Sequence, residues 1–273
     1  MKKSGSARRR LQGVIETAKA ESSKNVPSAL NTWTRALVLS LELEKPDFGL
    51  TQYCLNNVGK TLVDIGDYER AVGLLESALE KARKAYGDVH ALVEHPCQSL
   101  GRAYTELGDL DKALDYWNAA AFSAERMRGV YHQSTIFCLS RKARALRQKG
   151  FHEEALTVFC KVFGRTQTVF GCGLQTAFAA RELAACYCQL GRFEEAIPVW
   201  KHALRCFDEC PAYQKQGKNV KRCLSWTRSQ AAAAKTLVPD AESIDFAFAR
   251  NSPLEIFEER LMEPVSMVET PVV

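Results

Sequence analysis

Four glycines, Gly66, Gly108, Gly150 and Gly191, recur at intervals of 42, 42 and 41 residues, each between two runs of helical apolar periodicity. A fixed period of this length means that one helix–turn–helix unit is copied and stacked, since a single unit cannot bury its apolar face alone. The register around the glycines is kept as well. Seven residues before each turn stand Gly59, Gly101, Ala143 and Ala184, and five after it stand Ala71, Ala113, Ala155 and Ala196. All are small, as expected where two helices cross closely. Nine residues after each turn come the large apolar Leu75, Trp117, Phe159 and Trp200, and then Ala78, Ala120, Val162 and Ala203. Unrelated amphipathic helices would share none of these registers. The spacing predicts an all-α chain built as an α-solenoid of antiparallel helix pairs.

Before the first turn glycine, Ala29, Trp33 and Ala36 repeat the small, aromatic, small spacing of Ala113, Trp117 and Ala120. Residues 1–50 therefore read as a degenerate capping pair, with helices from Leu11 to Ser22 and Pro27 to Glu42 and a break at Glu44-Lys45-Pro46-Asp47. Residues 51–212 hold four regular pairs, at about Thr51–Tyr86, Glu94–Arg128, Ile136–Phe170 and Ala177–Cys210, whose second helices end at Gly87, Gly129 and Gly171 in the first three. Residues 213–238 read as a capping helix, from about Gly217, with Leu224 and Trp226 as contacts. Residues 239–273 read as an acidic, mostly flexible tail, with a short helix near 253–262 started by Ser252-Pro253-Leu254-Glu255. That helix would align Leu254, Phe257 and Leu261 on one side.

The pattern resembles the tetratricopeptide repeat. Its 42-residue form, exemplified by LNNVGKTLVDIGDYERAVGLLESALEKARKAYG from Leu55 to Gly87, is similar to the repeats of kinesin light chain. The resemblance covers roughly residues 28–210 and implies a right-handed solenoid whose members share the habit of binding other proteins. It further implies cargo or cytoskeletal adaptor work by analogy. Lys149 departs from the Ile65, Leu107 and Leu190 of the other copies and makes the third unit the least regular. The carboxylate clamp of chaperone-binding members is matched only at Asn57 and Arg141, so no clamp is assigned.

In stacked pairs the first helices line one concave face, and residues spaced three and four apart point into it. Six residues before the turn glycines stand Lys60, Arg102, Arg144 and Ala185, and neighbouring positions add Asn56, Asn57, Gln98, Arg141, Arg147 and Arg181. Arg141, Arg144 and Arg147 lie side by side on one helix, where like charges disfavour one another and an acidic ligand would relieve them. The bland reading is a solvated helix face.

The charge is divided along the chain. The tail from Asp240 carries net −6 against +5 for the whole, so residues 1–239 carry +11. Such asymmetry suits a tail that either docks on another protein or meets its own body as a reversible plug over the basic groove, and both readings stay open. The expected function is a non-catalytic scaffold or adaptor that holds an acidic or amphipathic helical peptide in a basic groove. A permanent structural subunit of a ciliary, cytoskeletal or ribonucleoprotein assembly is the alternative. Nucleic-acid binding ranks below both, since few groove aromatics are available for base stacking.

Nothing in the sequence points to a cofactor, a membrane or an active site. No apolar run approaches the roughly 18 residues of a membrane span, and no phosphate loop, HExxH or GxSxG occurs. Cys186 and Cys188, two apart on a helix, project to opposite sides. His202, Cys206 and Cys210 share a stripe, but a fourth zinc ligand is not visible, so these read as buried thiols. The basic start, MKKSGSARRR, lacks a secretory apolar core and suggests the cytoplasm, with cytoskeletal or ciliary structures as a refinement and a mitochondrial transit peptide as the alternative. Ten reduced cysteines are expected on that basis.

Overall fold

The computed structural model describes residues 2–45 and 47–236. Among them are eleven helices: α1 (Lys2–Ser22), α2 (Val26–Leu41), α3 (Phe48–Ile65), α4 (Tyr68–Tyr86), α5 (Ala91–Glu106), α6 (Leu110–Arg128), α7 (Gln133–Gln148), α8 (His152–Phe170), α9 (Leu174–Gln189), α10 (Phe193–Asp208) and α11 (Gln214–Thr236). Each helix from α1 to α9 packs on the next, and α3 also packs on α5, the first helix of the following unit. No strand occurs among the described residues. The chain is an α-solenoid of antiparallel helix pairs.

The repeated register is the packing. All small residues named above and all four wedges are buried, with Leu75 at 0% and Trp117, Phe159 and Trp200 at 1% exposure. At Gly101 a methyl group would come within 2.7 Å of the Trp117 ring, and at Gly59 within 2.4 Å of Leu75. Backbone and wedge therefore touch with no side chain between them, which lets an indole fill the angle between two helices. Each turn glycine has positive φ, from 69° to 89°, a conformation that side-chain-bearing residues pay for. The amino-terminal pair repeats the motif, with Ala29, Trp33 and Ala36 buried.

Helix starts differ from the sequence reading. The first helices of the four regular pairs begin three residues earlier, at Phe48, Ala91, Gln133 and Leu174. Asp47 caps α3 by accepting from the Leu50 amide at 3.1 Å. His90 and His132 cap α5 and α7 through Nδ1, each accepting a backbone N–H at 3.1 Å. Histidine is outside the usual set of cap residues, so no capping signal in the sequence marks these two starts. Likewise α1 already runs from Lys2, and Arg8 reaches Asp47 at 3.0 Å. At the other end α11 starts at Gln214, with Leu224 and Val220 buried and Trp226 set edge-on against Phe193 at 5.8 Å. Leu254, Phe257 and Leu261 lie outside the described residues.

The third unit is regular in backbone. Lys149 caps α7 with φ −76° and ψ −7°, against −74° and −10° for Leu107 on α5. The position is a surface one, where Leu107 is 40% exposed, and Lys149 uses it to pair with Asp111 and to lie over the Phe151 ring.

The thiols require a correction. Eight cysteines are free, but Cys172 and Cys206 are joined by a disulfide, with Cα atoms 5.0 Å apart. A compartment argument speaks only for an average thiol. Here the loop after α8 is folded against α10, and the two residues meet at a separation that suits the bond.

Replacing Trp117 with Ala is expected to cost about 3–5 kcal/mol by opening the α5/α6 angle. Gly101→Ala, which adds one methyl group, should cost about 1–3 kcal/mol by overpacking against the same ring. Urea unfolding of both variants checks the pair; wild-type stability in Gly101→Ala would contradict the close contact.

Candidate functional site

The first helices α3, α5, α7 and α9 carry the cations read from the sequence, and polar side chains tie one helix to the next. Arg102 on α5 donates to Asp64 on α3 at 2.6 Å, and Arg147 on α7 pairs with Glu182 on α9 at 3.1 Å. A carboxylate therefore sits within reach of a guanidinium one repeat away.

Several groove residues serve the stack. Asn56 is 5% exposed and donates its amide to the Leu92 carbonyl at 3.4 Å. Asn57 donates to the Tyr53 carbonyl of its own helix at 2.8 Å. The Gln98 amide is directed to Glu94, Ser134 and the Cys138 sulfur. Glu94 itself is fully buried and also takes both Nη atoms of Arg128 at 2.6 Å and the Ser134 hydroxyl. A buried carboxylate needs such compensation, so Gln98 belongs to a structural network. Lys60 stands exposed on α3.

The arginines divide into two groups. Arg147 and Arg181 enclose Glu182, at 3.1 and 2.8 Å, and the three side chains are only 12–15% exposed. Burial pushes the Glu182 carboxyl up, but Arg147, Arg181 and Arg144 outweigh it and hold the group well below the ordinary carboxylate range. Sequence reasoning missed Glu182 as the centre of this cluster, because Arg147 approaches from a helix one repeat earlier.

Arg141 is placed differently. It is half-buried, lies over the Phe137 ring at 5.1 Å, and has no carboxylate within ion-pair distance among the described residues. Burial, with Arg144 and Arg102 alongside, pulls its pKa down to about 10, against weaker opposing fields from Glu182 and Glu106. The guanidinium remains charged at neutral pH, and its charge is under-compensated. The aromatic faces of Phe137 and Phe178 are covered by Arg141 and Arg181, the latter at 5.0 Å.

The tetratricopeptide repeat model matches residues 50–121 and 134–209, more than half of the chain. The chain belongs to the tetratricopeptide repeat family. Among solved structures it is similar to a Podosopora anserina putative kinesin light chain with nearly identical tetratricopeptide-like repeats, at 18% identity and TM-score 0.64, over 74% of this chain and 97% of that one. It is also similar to BtubC from P. vanneervenii, at 15% identity and TM-score 0.58 over 89% and 94%, and to apo RapI, at 16% and 0.55 over 82% and 85%. At these identities the likeness speaks for the fold. No curated protein matches the sequence. The tetratricopeptide fold is in general a protein-interaction scaffold, and its family is generally non-catalytic. No described helix is long and apolar enough to cross a membrane.

Folding holds Glu182 below its ordinary value near 4.5. Its contribution to stability is complete above about pH 5 and is lost as the pH falls through 4.5 toward the depressed value. Glu182→Gln should destabilise the chain at pH 7, by up to about 3–5 kcal/mol for a broken buried pair. The variant should also lose less stability than wild type between neutral and acid pH. Urea midpoints measured across that range test both; parallel pH profiles would contradict the charge assignment.

Proposed function

We propose that this chain is a non-catalytic adaptor whose α3, α5, α7 and α9 face takes an acidic peptide segment of another protein, centred on Arg141. The observation that supports the reading is a half-buried guanidinium without a carboxylate partner, beside Arg144 and Arg102. Arg147 and Arg181 are already satisfied by Glu182, whereas a carboxylate arriving at Arg141 would gain a charge-assisted hydrogen bond and relieve like-charge repulsion. Nucleic acid is disfavoured, because the nearby ring faces on which bases would stack are occupied by arginines.

Arg141→Glu should weaken binding of a labelled peptide of alternating Glu and Leu by about tenfold to a hundredfold, or roughly 1.4–2.8 kcal/mol. Arg70→Glu on α4 should leave it unchanged. Fluorescence anisotropy in low salt, with oligothymidylate as competitor, reads the result. Equal peptide affinity of wild type and Arg141→Glu, or displacement of the peptide by oligothymidylate at lower concentration than by unlabelled peptide, would overturn the proposal.

A further inference from the structure

Three chemistry-bearing side chains meet near the carboxy-terminal end of the repeats, away from the arginine face's centre. Cys172 stands in the Gly171-Cys172-Gly173 loop between α8 and α9, while His202 and Cys206 are one turn apart on α10. One ligand atom of each lies within 4.8 Å of the others. Cys206 is fully buried and the other two are half-buried, so the group is built into the structure and still reachable from solvent. The sulfurs are bonded to each other here; reduction would leave two thiols and an imidazole facing one small volume.

Two further features mark this volume as unsatisfied. The His202 Nε2 is buried and makes no hydrogen bond, and Phe163 stands edge-on to the ring at 5.3 Å, closing one side. An orphaned buried imidazole nitrogen is a cost that a nearby ligand removes. Cys210, grouped with His202 and Cys206 on sequence spacing, is not part of the cluster, because α10 ends at Asp208 and the chain leaves the helical path at Cys210. Its place is taken by Cys172, 34 residues before Cys206.

We infer that Cys172, His202 and Cys206, once reduced, bind Zn2+ through two thiolates and one imidazole nitrogen, leaving a fourth position for water or another ligand. Sulfur and imidazole donors without a carboxylate select a soft or borderline ion over Mg2+ or Ca2+. Zinc–sulfur bonds of about 2.3 Å in a tetrahedron set the sulfurs about 3.8 Å apart, so loss of the sulfur–sulfur bond and a small loop movement suffice. Glycines on both sides of Cys172 let that loop move.

The chemistry balances without the protein supplying electrons. A dithiol reductant passes two electrons and two protons to the disulfide and closes its own disulfide; a phosphine does the same and leaves as its oxide, taking the oxygen of water. Zn2+ then replaces the two thiol protons, which go to solvent. Arg205 controls the imidazole. Its Nη2 lies 3.1 Å from His202 Nδ1, and because a guanidinium only donates, Nδ1 accepts and the ring proton sits on Nε2. If Nδ1 is the ligand, Arg205 must withdraw; if Nε2 is, the proton must move to Nδ1, and Arg205 must withdraw again. Arg205 is exposed and free to do so. The disulfide and the metal-bound state exclude each other.

The test uses the full chain, reduced with a phosphine under argon, desalted and titrated with Co2+ as a spectroscopic substitute. One equivalent should produce the cobalt–thiolate charge-transfer band, which one equivalent of Zn2+ then abolishes. Unreduced protein should show no band. Cys172→Ser should lose it, His202→Gln should bind at least tenfold more weakly, and Arg205→Ala should bind more tightly; Cys160→Ser should match wild type. Circular dichroism confirms folding, and the fully buried Cys206 is left intact. Absence of the band in reduced wild-type protein at one equivalent, or its retention in folded Cys172→Ser, would overturn the inference.

Discussion

Trp117 against the bare backbone of Gly101 is the contact from which the rest of the structure follows. The indole inserted between α5 and α6 lies so close to the facing helix that the gap at Gly101 would not admit a methyl group. The same arrangement recurs with Leu75 on Gly59, and the matching registers hold Phe159 with Ala143 and Trp200 with Ala184, all buried. Repetition of one angle then places equivalent positions of α3, α5, α7 and α9 beside one another. That is why polar contacts in this chain join residues close to one repeat apart, as in Arg102 with Asp64, Ser134 with Glu94, and Tyr116 with Glu76. Hydrophobic wedges build the stack, and these bonds hold its register.

Alignment also determines where charge is left over. A face that brings several arginines together must either find carboxylates for them or remain open to an external anion. Glu182, shared by Arg147 and Arg181, meets this demand at one end, and Asp64 meets it for Arg102. Between them Arg141 is partly desolvated, with like charges on both sides. The contrast between a satisfied cluster and an unsatisfied neighbour, rather than net charge, supports Arg141 as the proposed contact for an acidic peptide.

The stack was readable from sequence because its determinants are local and repeated: a glycine at the turn, a small residue before it, a wedge after it. What escaped reading depends on pairs brought together by folding. His90 and His132 as caps follow from a backbone amide within reach of Nδ1, a role that composition does not advertise. Gln98 and Asn56 look like groove ligands by spacing but are turned to Glu94 and to the Leu92 carbonyl. Glu182 neutralises an arginine 35 residues before it, and Cys172 finds Cys206 across a loop. Periodicity places such residues on a face; it does not say which neighbour consumes them.

Arginine-specific dicarbonyl footprinting of the full chain, read by mass spectrometry with and without saturating acidic peptide, tests most directly whether this face receives the partner. The account predicts that peptide protects Arg141 from modification while Arg70, on α4 and 74% exposed, reacts equally in both samples. Equal modification of Arg141 with and without bound peptide would contradict it.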